Sequence, residues 1–268
     1  MLKKFSEIAD EELQSTKRSA YFAIEEYFDE LVFKTPFVTE TLNAMLSKVL
    51  RNTALEPPRC SDGTVTLAHG QHWQLTYGAP QASGSFLYSY PSHAIVAVVG
   101  PEPLVIRRYS ATGSIDTDVF DPDISLNLRE EQEFHRGALL TVDARTDVDE
   151  IMETSSARVV TLTGAPRGAI RWAFCRKTFR AVQPIAAIPD DANIVTYVRV
   201  LAAMNAVAAL PTLTALTAHE SHFVRWTALQ ALVHLDPDMA AAELHRAAKD
   251  PHPHVQHASE KVIARLCA

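Results

Sequence analysis

The sequence predicts an α+β fold: helices first, an antiparallel β-sandwich or barrel in the middle, and helical repeats at the end. Three observations predict it. Apolar residues recur at helical spacing in residues 1–58, short β-branched and aromatic runs separated by turn residues fill 59–189, and 190–268 contains an internal repeat. With 268 residues, 47% of them apolar and 21% charged, a chain of this length can bury roughly 75% of its unfolded surface. That excludes disorder, or a mini-fold held by disulfides or metal, as a description of the whole chain.

In the first stretch, Asp10 is a candidate N-cap followed by Glu11 and Glu12, and Leu13, Ala20, Ile24, Phe28 and Leu31 form one apolar face. Glu25, Glu26, Asp29 and Glu30 make the opposite, solvated face. A second helix begins at Thr35-Pro36 and carries Phe37, Leu42, Met45, Leu46 and Val49; Pro57-Pro58 ends the section.

The middle stretch reads as nine strands: 64–67, 73–77, 85–90, 94–99, 104–109, 138–142, 158–162, 169–174 and 179–185. No helix of useful length separates them, which argues for antiparallel pairing. The interval from Ser110 to Gly137, with Asp116, Asp118, Asp121 and Asp123, is expected to be a surface loop or a short insert. The aspartates lack the central glycine and the twelfth-position glutamate of an EF-hand.

In the last stretch, Leu213 to Leu235 matches Leu244 to Leu266 at an offset of 31, pairing Val224 with Val255 and Leu232 with Ile263, and placing His219 against Asp250. The segment AAKDPHPHVQHASEKVIARL resembles the HEAT-like repeat: an Asp-Pro turn, polar residues, then a valine opening the second helix, with Arg225 at the arginine position in the first copy and Gln256 in the second. That resemblance implies a stack of helix pairs and is silent on chemistry. In the last helix Val255, Ala258, Val262 and Leu266 share a side, opposite His257, Glu260, Lys261 and Ala264, as a terminal cap requires. The preceding helix has a core stripe of Val224, Ala228, Ala231, Leu232 and Leu235, and a second apolar line of Trp226, Leu229 and Val233. This second line either packs on the β section or on the helix 194–210, or forms a partner groove. The apolar stretch Ile194 to Leu210 is expected to be one helix, apolar nearly all round and packed on the β section, with a section boundary near Pro189.

The middle stretch, with its strand series and FHRGALLTVD, resembles the cupin jelly roll. The resemblance implies a small-molecule or divalent transition-metal site inside the β section, near Trp73, Tyr77, Tyr88 and His135, with His69, His72 and His135 as candidate ligands. The His-x-His pair followed by Glu that metal-binding cupins carry is replaced by His69-x-x-His72, with no acidic residue until Glu102. A spacing of three on a strand also sends two side chains to opposite faces. Seven histidines follow residue 218, most of them at the turns of the repeats, where solvated side chains are expected.

Hydrolase elbows, phosphate loops, dinucleotide fingerprints and His-Glu-x-x-His are absent from the sequence. A formal charge of −7 argues against a nucleic-acid partner. Cys60, Cys175 and Cys267 read as ordinary thiols of a reducing compartment, with Cys175 a buried structural thiol, and no apolar run suits a signal peptide or a membrane span. The expectation is a cytoplasmic, non-enzymatic interaction protein that binds a protein partner or a second copy of itself. The rival is a cupin-like binding domain or metal-dependent enzyme.

Overall fold

The computed structural model describes residues 1–14, 17–51, 60–61, 63–80, 83–152 and 156–266. Pro57-Pro58, Cys267 and the side chains of Cys60 and Leu266 lie outside what it describes. It forms two compact units: Met1–Ile115 with Asp121–Arg167 and Trp172–Gln183, and Asp116–Phe120 with Gly168–Arg171 and Pro184–Ala268.

The first unit begins with helices α1 (Leu2–Glu12), α2 (Arg18–Phe33) and α3 (Phe37–Arg51). The residues expected to be apolar and inward are so: Leu13, Ala20, Ile24, Phe28 and Leu31 are each at most 5% exposed. Asp10 is not a cap. It lies within α1, and its carboxylate accepts a hydrogen bond from the Trp73 indole at 2.7 Å. The helix start at Thr35 is present, with the Thr35 hydroxyl accepting from the Phe37 amide at 3.3 Å and donating to the Leu31 carbonyl. Neither α1 nor α2 has a side-chain N-cap bond, a device worth about 1 kcal/mol. Burying one Phe, Leu or Ile contributes roughly 1.5–3 kcal/mol, so packing rather than capping holds these helices.

The strands are β1 (Cys60–Ser61), β2 (Thr64–His69), β3 (Trp73–Gly78), β4 (Phe86–Tyr88), β5 (Ala94–Val98), β6 (Leu104–Ala111), β7 (Leu126–Phe134), β8 (Leu139–Val142), β9 (Asp147–Ile151), β10 (Val159–Gly164), β11 (Ile170–Cys175) and β12 (Ala181–Ala186). They form a six-stranded sheet in the order β1-β2-β3-β10-β5-β8 and two three-stranded sheets, β12-β11-β4 and β7-β6-β9. All nine expected strands are present. The loop expected from Ser110 to Gly137 instead contains β7, and β9 was also unforeseen. Both are acidic, LNLREEQEF and DVDEI, and lack the apolar alternation that marks a strand. Cross-strand cations on the adjacent β6 hold them: Arg107 contacts Glu131 at 2.7 Å and Arg108 contacts Asp149 at 2.8 Å.

The large sheet is buried on both faces, and strand parity decides what each residue meets. Ile95 and Ala97 of β5, Val160 and Leu162 of β10, and Leu75 of β3 join Phe5, Ile24 and Phe28 in the core beneath the helices. The alternate residues Ala94, Val98 and Val159 join Leu104, Ile106 and Leu140 in a second core between sheets. The result is a helix layer, a sheet and a second β layer.

The second unit holds α4 (Pro189–Ala203), a 3-10 turn (Val207–Ala209), α5 (Leu210–Leu216), α6 (His222–Leu235), α7 (Pro237–Ala247) and α8 (Pro253–Leu266). The single helix expected from 194 to 210 is broken. The chain leaves α4 at Ala203, and Asn205 adopts a left-handed φ of 51°, which a short amide side chain tolerates better than a bulky one. The repeat is real at the level of packing: Leu213 and Leu244, and Val224 and Val255, are each at most 2% exposed. Its turns match as well. Asp250 Oδ1 accepts from the His252 amide at 2.8 Å, and His219 Nδ1 accepts from the Ser221 amide at 3.1 Å, so His219 substitutes for the aspartate. Arg225 links the copies through a bidentate pair to Asp250 at 2.8 and 2.7 Å.

Candidate functional site

Two regions of the described residues are considered first for their combination of apolar surface and placed polar groups. The first is a hollow of about 200 Å³ in the β unit, walled by Ala94, Val96, Leu104, Ile106, Leu140 and Val159. Its polar lining comprises Tyr90, Asp149 and the threonines of β3 and β10, whose parity turns Thr76 and Thr161 inward. Asp149 is saturated: Arg108 Nε and Nη2 each donate to it at 2.8 Å, and the Tyr90 hydroxyl donates at 3.2 Å. Arg108 also donates to the Thr141 carbonyl at 3.2 Å and lies 3.7 Å from Asp147. Burial, then the Asp149 charge, pushes the Tyr90 phenol well above its usual pKa, so it remains a hydrogen-bond donor at neutral pH. Next to this cluster, the buried Glu150 accepts from Tyr109 at 2.8 Å and pairs with Arg176. These groups supply a polar tip to an apolar hollow.

The residues expected to line an interior site stand elsewhere. Trp73 and Tyr77 have the opposite parity to Thr76 and face the helices, with Trp73 4% exposed in the core beneath α1 and α2. Gly70 makes room there, because a Cβ would overlap the Asp10 carboxylate and the Trp73 indole. Tyr88 is 40% exposed. His69 and His72 line an open groove with Leu2, Ser6, Met45 and Pro166, whereas His135 lies beyond β7 with its side chain 76% exposed near Glu133. The three histidines are therefore not drawn into one pocket. No group of three or more His, Cys, Asp or Glu among the described residues is arranged to hold a metal ion. The histidine that the β unit does bury is His93, 2% exposed, whose Nδ1 accepts from the Ala144 amide at 3.1 Å. Burial lowers its pKa despite the facing Asp143. Burial also opposes ionisation of Asp143, but hydrogen bonds from Arg145 outweigh it and bring that carboxyl down to about 2. Cys175, expected to be buried, is half-exposed, and bonds from Thr178 lower its thiol pKa. Asp116 and Asp121 terminate local turns by accepting backbone amides two residues on.

The second place is the helical unit. α6 packs against α4, α5, α7 and α8, which explains why it is apolar on both faces. The line Trp226, Leu229 and Val233 is not one open surface. Leu229 is 1% exposed, Val233 packs on the core of Val198, Leu213 and Leu232, and Trp226 lines a pocket. The exposed apolar line is on α4 and the turn after it: Tyr197 (64%), Val200 (50%), Met204 (70%) and Val207 (59%). Its spacing of three and four was visible in sequence, but a helix apolar all round gives no indication of which side is left open.

Residues 183–264 match the family model of HEAT repeats, which accounts for the repeat at the level of a recognised helical module. A search of curated proteins finds no match. Among solved structures, the chain is similar to a cupin superfamily protein from Desulfitobacterium hafniense (11% identity, 42% of this chain and 85% of the other, TM-score 0.26). It is also similar to KdgF from Halomonas sp. (13% identity, 43% and 93%, TM-score 0.26). Among the described residues, no helix is long and apolar enough to cross a membrane. The C-terminal helices thus match a HEAT-repeat model, in one chain with an antiparallel β section and N-terminal helices.

Proposed function

We propose that this protein is a non-enzymatic interaction protein whose HEAT-repeat module holds a protein partner. The observation that carries this reading is the exposed line Tyr197, Val200, Met204 and Val207 on a module of the HEAT type. Four large apolar side chains exposed between residues 197 and 207 are costly to leave in water, and interfaces are enriched in Tyr and Met at their centres. The test is the double substitution Tyr197→Lys with Val200→Glu. Thermal stability should change by no more than about 0.5 kcal/mol, as expected for exposed positions. Binding of the partner, identified by crosslinking from this surface and measured with purified proteins, should weaken by about a hundredfold. Unchanged binding would reject the reading, and sedimentation shows whether the partner is a second copy.

A second reading is supported by the hollow in the β unit: a small-molecule site that takes an apolar ligand with one polar group against Tyr90 and Thr161. Filling the hollow by Ala94→Leu should remove ligand-dependent stabilisation in a thermal shift assay. Elemental analysis of the purified protein, alongside His135→Ala, tests the metal that the cupin resemblance implied.

A further inference from the structure

The pocket that Trp226 lines in the helical unit, about 430 Å³, is used by neither reading. Its apolar walls are Phe120, Ile170, Pro184, Phe223, Trp226 and Val255. Its ionisable lining is entirely basic: His222, His254, His257 and Lys261, with no carboxylate. His222 is the first residue of the 14-residue α6 and His254 the second of the 14-residue α8, so the positive ends of two helices open onto the same hollow.

One polar group of the lining lacks a hydrogen-bond partner, and two more belong to residues next to it that stand outside the lining. His222 is only 9% exposed, and among the described residues its ring makes no hydrogen bond; it lies flat on His252 at 3.5 Å and 4°. His252 Nε2 meets the Asp118 carbonyl at 2.9 Å, so this nitrogen is the donor, and its other nitrogen, Nδ1, is buried without a partner. The Ser221 hydroxyl, at the cap of α6, is likewise buried and unsatisfied. A buried polar group left unpaired is destabilising, and the His222 ring, which lines the pocket, is placed for a ligand to pair with it.

We propose that this pocket binds an organic carboxylate with a planar aromatic body. The ring stacks among Phe223, Trp226 and Phe120, and the carboxylate meets Lys261 and the imidazoles. The charged surroundings support this polarity. Arg225 is committed to Asp250. The Asp116 and Asp118 carboxylates accept backbone amides of Asp118, Val119 and Ala169, and neither lines the pocket. Burial first, then the neighbouring His252, Arg225 and His254, lowers His222 to about 4, with Asp118 opposing. Burial and the adjacent His252 and His257 lower His254 as well, with Asp116 opposing. Both rings are therefore mainly neutral at neutral pH. A bound carboxylate raises their pKa, so binding takes up a proton and tightens as pH falls.

The experiment is isothermal titration of the full chain with 1-naphthoate, with 1-naphthylmethanol as its uncharged counterpart, in two buffers of different ionisation enthalpy. The acid should bind one to one, about tenfold tighter than the alcohol, with proton uptake and about fivefold higher affinity near pH 6 than near pH 8. Lys261→Met, a change on the exposed rim, should cost about fivefold, and His222→Gln should flatten the pH dependence. If His222→Gln does not fold, the rim substitution His257→Gln with Lys261→Met serves instead and should cost more than Lys261→Met alone. Trp226→Phe should retain binding and abolish ligand quenching of tryptophan fluorescence. Equal affinity for acid and alcohol, absence of binding by the acid, or full affinity in the rim double variant would each overturn the proposal.

Discussion

The two units differ in how far their buried polar groups are partnered. Among the described residues of the β unit each buried carboxylate has a partner: Asp149 and Asp147 with Arg108, Glu150 with Arg176 and Tyr109, Asp143 with Arg145. In the helical unit the buried Glu243 is also paired, with Thr217 and Arg246, but Ser221 Oγ, His252 Nδ1 and one oxygen of the 5%-exposed Asp191 have no partner, and His222 only stacks. A closed network fixes strand register and resists change, whereas orphaned donors and acceptors leave energy to be gained by a ligand. The contrast teaches that buried charge alone does not mark a functional site. The state of its partners does.

The largest expected effect breaks the closed side. Arg108→Leu leaves Asp149 and Asp147 uncompensated in the β unit and should cost about 3–5 kcal/mol in urea denaturation. Adding Asp149→Leu should recover most of that loss, because removing both partners of a buried pair is far cheaper than removing one. A single substitution without measurable cost would mean that β9 is held by burial alone.

The next effect comes from the open side. His222 titrates at about 4 in the folded chain, below the ordinary value of about 6.5, so the unfolded chain binds the proton first. Its contribution is fully present above about pH 6.5 and is lost as pH falls toward 4, at most about 3 kcal/mol from this group. Calorimetry from pH 7.5 to 4.5 should show the loss, and His222→Gln should reduce it; an identical slope in the variant would assign the loss to other groups. The smallest effect sharpens the repeat. Asp250→Asn weakens the bidentate pair to Arg225 and should cost about 1–2 kcal/mol, with the measured change confined to unfolding of the helical unit.

Much of the fold was legible because burial imposes period. Ile24, Phe28 and Leu31, the alternating strands and the 31-residue offset were all readable without coordinates. The strands β7 and β9 were not, since their pattern is acidic and their stability comes from Arg107 and Arg108 on another strand. Site residues were less legible. Trp73 and Tyr77 have the composition of a binding wall, but one step of parity separates the helix-covered face from the hollow that Thr76 lines. His222, His252 and His254 were visible only as histidines at repeat turns; the stacking of His222 on His252 and the burial of His222 arise where the starts of α6 and α8 meet residues 116–120.

Apolar periodicity is local, so the N-terminal helices, nine of the strands and the repeat were readable in order, whereas β7, β9 and the break after Ala203 were not. Which face of each element is covered, which charges find partners and which imidazoles do not were settled only by packing. Those outcomes depend on pairing between residues far apart in the chain: Asp10 with Trp73, Arg108 with Asp149, Arg225 with Asp250. Local pattern shows that a side chain will be buried, and only the assembled neighbours fix its partner and its chemistry.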